Sequence, residues 1–214
     1  MESSVVVNKY QGGLGGYRFT WNGSVYSIDC SKRYKLIIKQ SNGVVYASLD
    51  VDSYYDCGVL IGDVFFWGER LGKICGYSMS ARKICFFSYI NEEAEAFYQY
   101  QAAKYPYTFP PKSSSYDYLP EINLANYVIS KISITVQVAY QHYLVVGDLS
   151  GRVSFFDVTT RKRVKTFTVD GAVVGIKVED GTAVIDYIKS DHLESPSYLS
   201  EFKNALRTCI DVAL

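Results

Sequence analysis

Asn22-Gly23-Ser24-Val25-Tyr26-Ser27-Ile28-Asp29 is followed, twenty residues on, by Asn42-Gly43-Val44-Val45-Tyr46-Ala47-Ser48-Leu49-Asp50, and the two share NG-x-VY. Asn-Gly accepts the positive φ angles of a tight hairpin turn, and the β-branched and aromatic residues after it suit a pleated strand. Each unit reads as turn then strand. Self-similarity at a fixed spacing is the mark of a repeat architecture.

Outward from this pair the spacing continues through Gly62-Asp63-Val64-Phe65-Phe66-Trp67 and Arg82-Lys83-Ile84-Cys85-Phe86-Phe87. It resumes at Gly147–Asp157, Gly171–Val178 and Glu179–Ile185. Short strands with turn signals between them predict an all-β architecture. Several strands are apolar on both alternating sets: Val45, Ala47 and Leu49 against Val44 and Tyr46, or Val153 and Phe155 against Phe156. That pattern predicts strands covered on both faces, as in stacked sheets rather than a lone meander.

The run Tyr143-Leu144-Val145-Val146-Gly147-Asp148-Leu149-Ser150-Gly151-Arg152-Val153-Ser154-Phe155-Phe156-Asp157, continued by the polar Val158–Arg163 and a strand ending at Phe167, resembles a WD40-type propeller blade. The segment from Phe65-Phe66-Trp67 to Tyr77 echoes its second half at an offset of ninety residues. The Gly-His and Trp-Asp dipeptides of that family are absent. A seven-bladed ring at about 40 residues per blade exceeds this chain. The resemblance therefore implies a small four-bladed ring or a partial propeller completed by another chain, beside a different sandwich or barrel built from similar hairpins. An open arc leaves strand edges needing cover, which favours a protein partner or self-association.

Two β-repeat blocks, residues 1–91 and 127–190, flank a helical and Pro/Ser/Tyr-rich insertion at 92–126. Asn91 is placed to cap a helix opening with Glu92, Glu93 and Glu95 and ending near Lys104 and Pro106. Its inner stripe is read as Ala94, Phe97, Ala102 and Tyr105. The loop after it offers Tyr107, Phe109, Tyr116 and Tyr118 as candidate partner-binding residues. In 191–214, Ser195 and Pro196 start an expected C-terminal helix whose apolar face, Leu199, Phe202, Leu206, Cys209 and Ala213, is read as packing on the β domain, with docking into a partner's groove as the alternative. The fold class expected is mainly β: a small or partial propeller-like stack of antiparallel hairpins with a helical insertion and a C-terminal helix.

The chemistry-bearing residues favour no reaction. His142 and His192 lack metal-ligand spacing, and Cys30, Cys57, Cys75, Cys85 and Cys209 form no CxxC. Asp50, Asp52 and Asp56, like the glutamates at the helix start, fit turn and cap roles. Gly12-Gly13-Leu14-Gly15-Gly16 lacks a phosphate-binding fingerprint. No enzyme activity and no cofactor are expected, a carboxylate enzyme in a propeller mouth being the weakest reading. Twenty-two basic and twenty-two acidic residues cancel, so no global field draws the chain to nucleic acid or an anionic membrane. The alternative of nucleic-acid binding rests on Arg161, Lys162, Arg163 and Lys165, with Lys32, Arg33, Lys35 and Lys39 behind them. The start lacks a signal-peptide pattern, and Lys131, Gln137, Gln141 and His142 interrupt the most apolar stretch, so no membrane span is expected. The expectation is an intracellular, cytoplasmic interaction scaffold or assembly subunit, including one from a virus or other large assembly.

Overall fold

The computed structural model describes residues 18–29, 35–51, 55–69, 72–104, 134–189 and 205–212. Their turn-and-strand units form four antiparallel sheets, each a run of neighbouring strands in chain order. The first sheet holds β1 (Arg18–Trp21), β2 (Ser24–Asp29), β3 (Lys35–Gln40) and β4 (Val45–Asp50). The second holds β5 (Tyr55–Ile61), β6 (Val64–Glu69), β7 (Lys73–Ser78) and β8 (Lys83–Tyr89). A helix, α1 (Glu92–Lys104), follows. The third sheet is β9 (Ile134–Tyr140), β10 (Tyr143–Asp148), β11 (Arg152–Asp157) and β12 (Lys162–Thr168). The fourth is β13 (Ala172–Glu179), β14 (Thr182–Ile188) and β15 (Leu206–Asp211).

The two Asn-Gly units are the β1–β2 and β3–β4 turns of one sheet. Asn22 and Gly23, at φ 46° and 74°, join β1 to β2, the pair of left-handed conformations a type I′ turn requires. At the β3–β4 turn Gly43 lies at φ 83° and Asn42 Oδ1 accepts the Val44 amide at 3.0 Å. The twenty-residue echo is therefore half of a four-stranded unit. The full period shows in the first hairpin of each sheet, whose turns put Asn22, Gly62, Gln141 and Asp180 at positive φ. Their spacings are forty, seventy-nine and thirty-nine residues, the long step carrying α1 and the insertion. This corrects the offset of ninety, which lays β6 on β11. The strand equivalent to β6 is β10.

Three apolar cores lie between consecutive sheets. Phe19, Tyr26, Ile28, Leu36 and Ile38 of the first sheet meet Leu60, Phe65 and Trp67 of the second. Val59, Phe66 and Ile74 meet Ile134, Leu144 and Phe156 of the third. Val145, Val153 and Phe155 meet Val173, Ala183 and Ile185 of the fourth. The second and third sheets are thus packed on both faces, which is why Val153, Phe155 and Phe156 are all fully buried. The end sheets have one packed face. Val44 and Val45 of the first sheet are 56% and 53% exposed, against the expectation of two covered faces there. On that sheet's outer face Lys39 pairs with Asp29 and Lys35 with Asp50, and on the fourth sheet's outer face Arg207 pairs with Asp186.

Helix α1 opens as its sequence requires: Asn91 Oδ1 accepts the Ala94 amide at 2.8 Å. Ala94 and Tyr98, one turn apart, are buried in the core between the second and third sheets; Tyr98 is missing from the expected stripe. At the C-terminus Leu206 and Cys209 lie in a strand, not in the helix their spacing suggests. β15 pairs with β14 from Tyr187↔Leu206 to Thr182↔Asp211. Alternation of Leu206, Thr208 and Ile210, with Val212 beyond, fits an edge that β14 would otherwise leave open, and satisfying that edge outweighs helical spacing. Pro196, Leu199 and Phe202 lie outside the described residues.

Candidate interaction site

Strand alternation gives the stack two different ends. The turns β1–β2, β3–β4, β5–β6, β7–β8, β9–β10, β11–β12 and β13–β14 leave from one end and have four residues or fewer. Contacts between sheets show that these ends coincide. Tyr46 Oη donates to the Met79 carbonyl at 2.5 Å, joining the β3–β4 and β7–β8 turns, while at the other end the space beside Gly68 is closed by Ile134 and that beside Gly147 by Val173. Every connection longer than four residues, 30–34, 90–133 and 189–205, leaves from the opposite end.

Two arginines tie α1, which follows β8 at that opposite end, to the third sheet, Arg152 from the start of β11 and Arg163 from the start of β12. Arg152 makes a bidentate pair with Glu93, at 3.0 and 3.1 Å, a geometry that adds orientation as well as charge. Arg163 donates to the Ile90 carbonyl at 3.0 Å and to Glu92. These bonds hold Glu92 below the ordinary carboxylate range, its own backbone amide and Arg163 being the leading causes. Beside Arg163, Phe87, Ser88 and Tyr89 of β8, with Glu95 and Phe156, line a cleft of about 360 Å³. The helix that starts the insertion is therefore anchored, and with it the point where residues 105–133 depart.

Asp148 sits at the β10–β11 turn of the same end. Its Oδ1 accepts the amides of Ser150 and Arg152 at 2.9 and 3.0 Å and the Ser150 hydroxyl at 2.7 Å. Its Oδ2 is buried with no partner. Burial is the largest influence on this carboxyl and raises its pKa. The Gly-Asp-x-x-Gly signature in the sequence is thus a turn lock.

The structure scatters the residues singled out for nucleic acid. Arg163 is engaged by Glu92 at the α1 junction, Lys165 lies over the Phe167 ring at 5.2 Å, and only Arg161 and Lys162 crown the β11–β12 turn. Leu206 is 42% exposed on β15. Tyr107, Phe109, Tyr116, Tyr118, Leu199 and Phe202 lie outside the described residues. A signal that was missed is the Arg-Lys pair at 82–83, structurally equivalent to 161–162. Both arginines occupy the left-handed position of the turn, at φ 51° and 61°. Among the described residues no group of three or more His, Cys, Asp or Glu could hold a metal ion, and no helix is long and apolar enough to cross a membrane.

No protein-family model and no curated sequence matches the chain. Solved structures do match. The computationally designed Ika4 protein superposes with a TM-score of 0.57 at 10% identity, covering 91% of this chain and 88% of its own. Saccharomyces cerevisiae Sqt1 gives 0.59 at 10% identity over 85% of this chain and 45% of its own. The RRP9 WD40 repeats give 0.55 at 10% identity, over 86% and 47%. The chain spans less than half of those last two proteins. At such identities the likeness concerns the fold: a mainly β, WD40-like stack of four antiparallel sheets.

Proposed function

We propose that this chain is a non-enzymatic protein-interaction scaffold or assembly subunit whose partner surface is the end from which the long connections leave. One observation carries the reading: a rigid stack of sheets sends every connection longer than four residues to the same end. Connections on a rigid frame are where binding residues concentrate. The anchoring of α1 by Arg152 and Arg163 supports the role of the 105–126 segment, with Tyr107, Phe109, Tyr116 and Tyr118 as contacts, because a fixed exit point lowers the ordering cost of binding. Leu199, Phe202 and Leu206 belong to the connection and strand that return at that end. The likeness to WD40 repeats supports the same class of role.

The test is native purification with mass measurement, comparing the wild-type chain with a variant carrying Tyr107→Ala, Phe109→Ala, Tyr116→Ala and Tyr118→Ala. The expected result is a stoichiometric protein complex for the wild type, weakened in the variant while its circular dichroism is unchanged. A partner-free monomer in the wild type, or a complex indifferent to all four substitutions, would overturn the proposal.

A further inference from the structure

The fourth sheet has three strands where each of the other sheets has four. β15 is its outer strand, and among the described residues no strand pairs with its free edge. That edge lacks the protection the other outer strands carry. β4, β8 and β12 each break register at a bulge, whereas β15 runs beside β14 through six consecutive pairs with no shift. A straight, unbulged edge is a template for a further strand. One bond shows which residues it offers. The Val212 amide donates to the Gly181 carbonyl at 2.6 Å, so the even-numbered residues of β15 bond to β14, and the alternate residues Arg207, Cys209 and Asp211 turn their N–H and C=O groups outward. The side chains of those three lie on the face away from the third sheet and are exposed, while Ile210 and Val212 pack into the core between the third and fourth sheets.

We infer that β15 pairs antiparallel with β15 of a second copy of this chain, about a two-fold axis between the two copies of Cys209. The edge itself identifies its occupant. Residues that turn their backbone groups outward must face one another to exchange hydrogen bonds, and only the register centred on Cys209 uses all three. In it Cys209 faces Cys209 of the second copy, and Arg207 faces Asp211 of the second copy, twice over by symmetry. The charges in that register are complementary: Arg207 stands between Asp186 of its own sheet, at 2.7 Å, and the incoming carboxylate. Leu206 then lies opposite Val212 and Thr208 opposite Ile210, so the inner faces of the two fourth sheets continue as one. A slip of one residue would set those inner-face residues against outer-face ones. A slip of two loses the facing of Arg207 and Asp211. A foreign strand of one charge sign would meet this edge with one match and one clash, whereas the chain's own strand matches both charges.

Sedimentation equilibrium on the full chain, between about 1 and about 100 µM, tests this over a range suited to so small an interface. The expected result is a reversible dimer. Asp211→Lys should weaken it about tenfold by setting a lysine against Arg207 at both ends of the pairing. Cys209→Pro should abolish it, because proline there removes an outward donor and no bond to β14. Glu179→Lys makes the same charge change on the same face, two strands inward, and should leave the dimer intact; circular dichroism checks that each variant is folded. A short bis-maleimide should join two copies of the wild type, and Cys209→Ser should remove the joined species. A wild type that stays monomeric at about 100 µM, which would give the edge to another segment of the same chain, overturns the inference. So does a dimer that withstands both Asp211→Lys and Cys209→Pro, an equal loss in Glu179→Lys, or an undiminished cross-link in Cys209→Ser. The chain with alanine at 107, 109, 116 and 118 should keep this dimer, so the edge pairing and the partner complex proposed above fail separately.

Discussion

Gln137 is 2% exposed between the second and third sheets, and neither its Nε2 nor its Oε1 has a hydrogen-bond partner. It fits there because Gly68 opposite has no side chain; a Cβ at that position would come within 2.9 Å of Nε2. An unpaired buried amide costs about 1–3 kcal/mol, so Gln137→Leu is expected to stabilise the chain by about 1–2 kcal/mol, read as a higher urea midpoint at unchanged slope. Asp148 behaves differently because it titrates. Its pKa is raised by burial, so its contribution to stability is complete below the unfolded carboxylate value and is lost as pH rises through the folded value. Asp148→Asn keeps the oxygen that holds Ser150 and Arg152 but stays neutral. It should therefore gain stability over the wild type at neutral pH and lose that advantage near pH 4; paired urea titrations check it, and a pH-independent difference would contradict it.

At the scale of elements, connections decide how one sheet passes to the next. Gly171, between β12 and β13, lies at φ 153°, and a Cβ there would sit 2.2 Å from the Ile188 carbonyl oxygen. Gly171→Ala strains the backbone and meets an immovable atom together, so a loss of about 3 kcal/mol or more is expected from chemical denaturation. Helix α1 depends on its cap, and Asn91→Ala should cost about 1 kcal/mol through the amide of Ala94. The outer strands share a device. Tyr46, Cys85 and Val164 are bulged out of register, each three residues beyond a positive-φ residue. A bulge twists an exposed edge away from further pairing. Much of this was legible: the Asn-Gly turns, the Asn91 cap and the Gly-Asp turn are local chemistry written in adjacent residues. The C-terminal strand was not, because Leu206 and Cys209 suit a helix until the open edge of β14 is present.

Over the whole molecule, each sheet packs on its sequence neighbours through its own core, so stability should be close to a sum of sheets and nearest-neighbour interfaces. Removing Phe19, 3% exposed in the first core, is the sharpest probe. Phe19→Ala is expected to cost about 3–4 kcal/mol and to raise amide hydrogen exchange in β1–β4 far more than in β13–β15; uniform acceleration would mean a single cooperative unit. The sequence by itself determined the strands before residue 190, their turns and the helix start, because positive φ, capping and β-branched runs act over a few residues. Only tertiary structure decided that the twenty-residue echo is half a sheet, that the end sheets keep one exposed face and that Arg163 serves α1. Those follow from which sheet packs against which, and burial of apolar faces between separate sheets leaves no local signature in the chain.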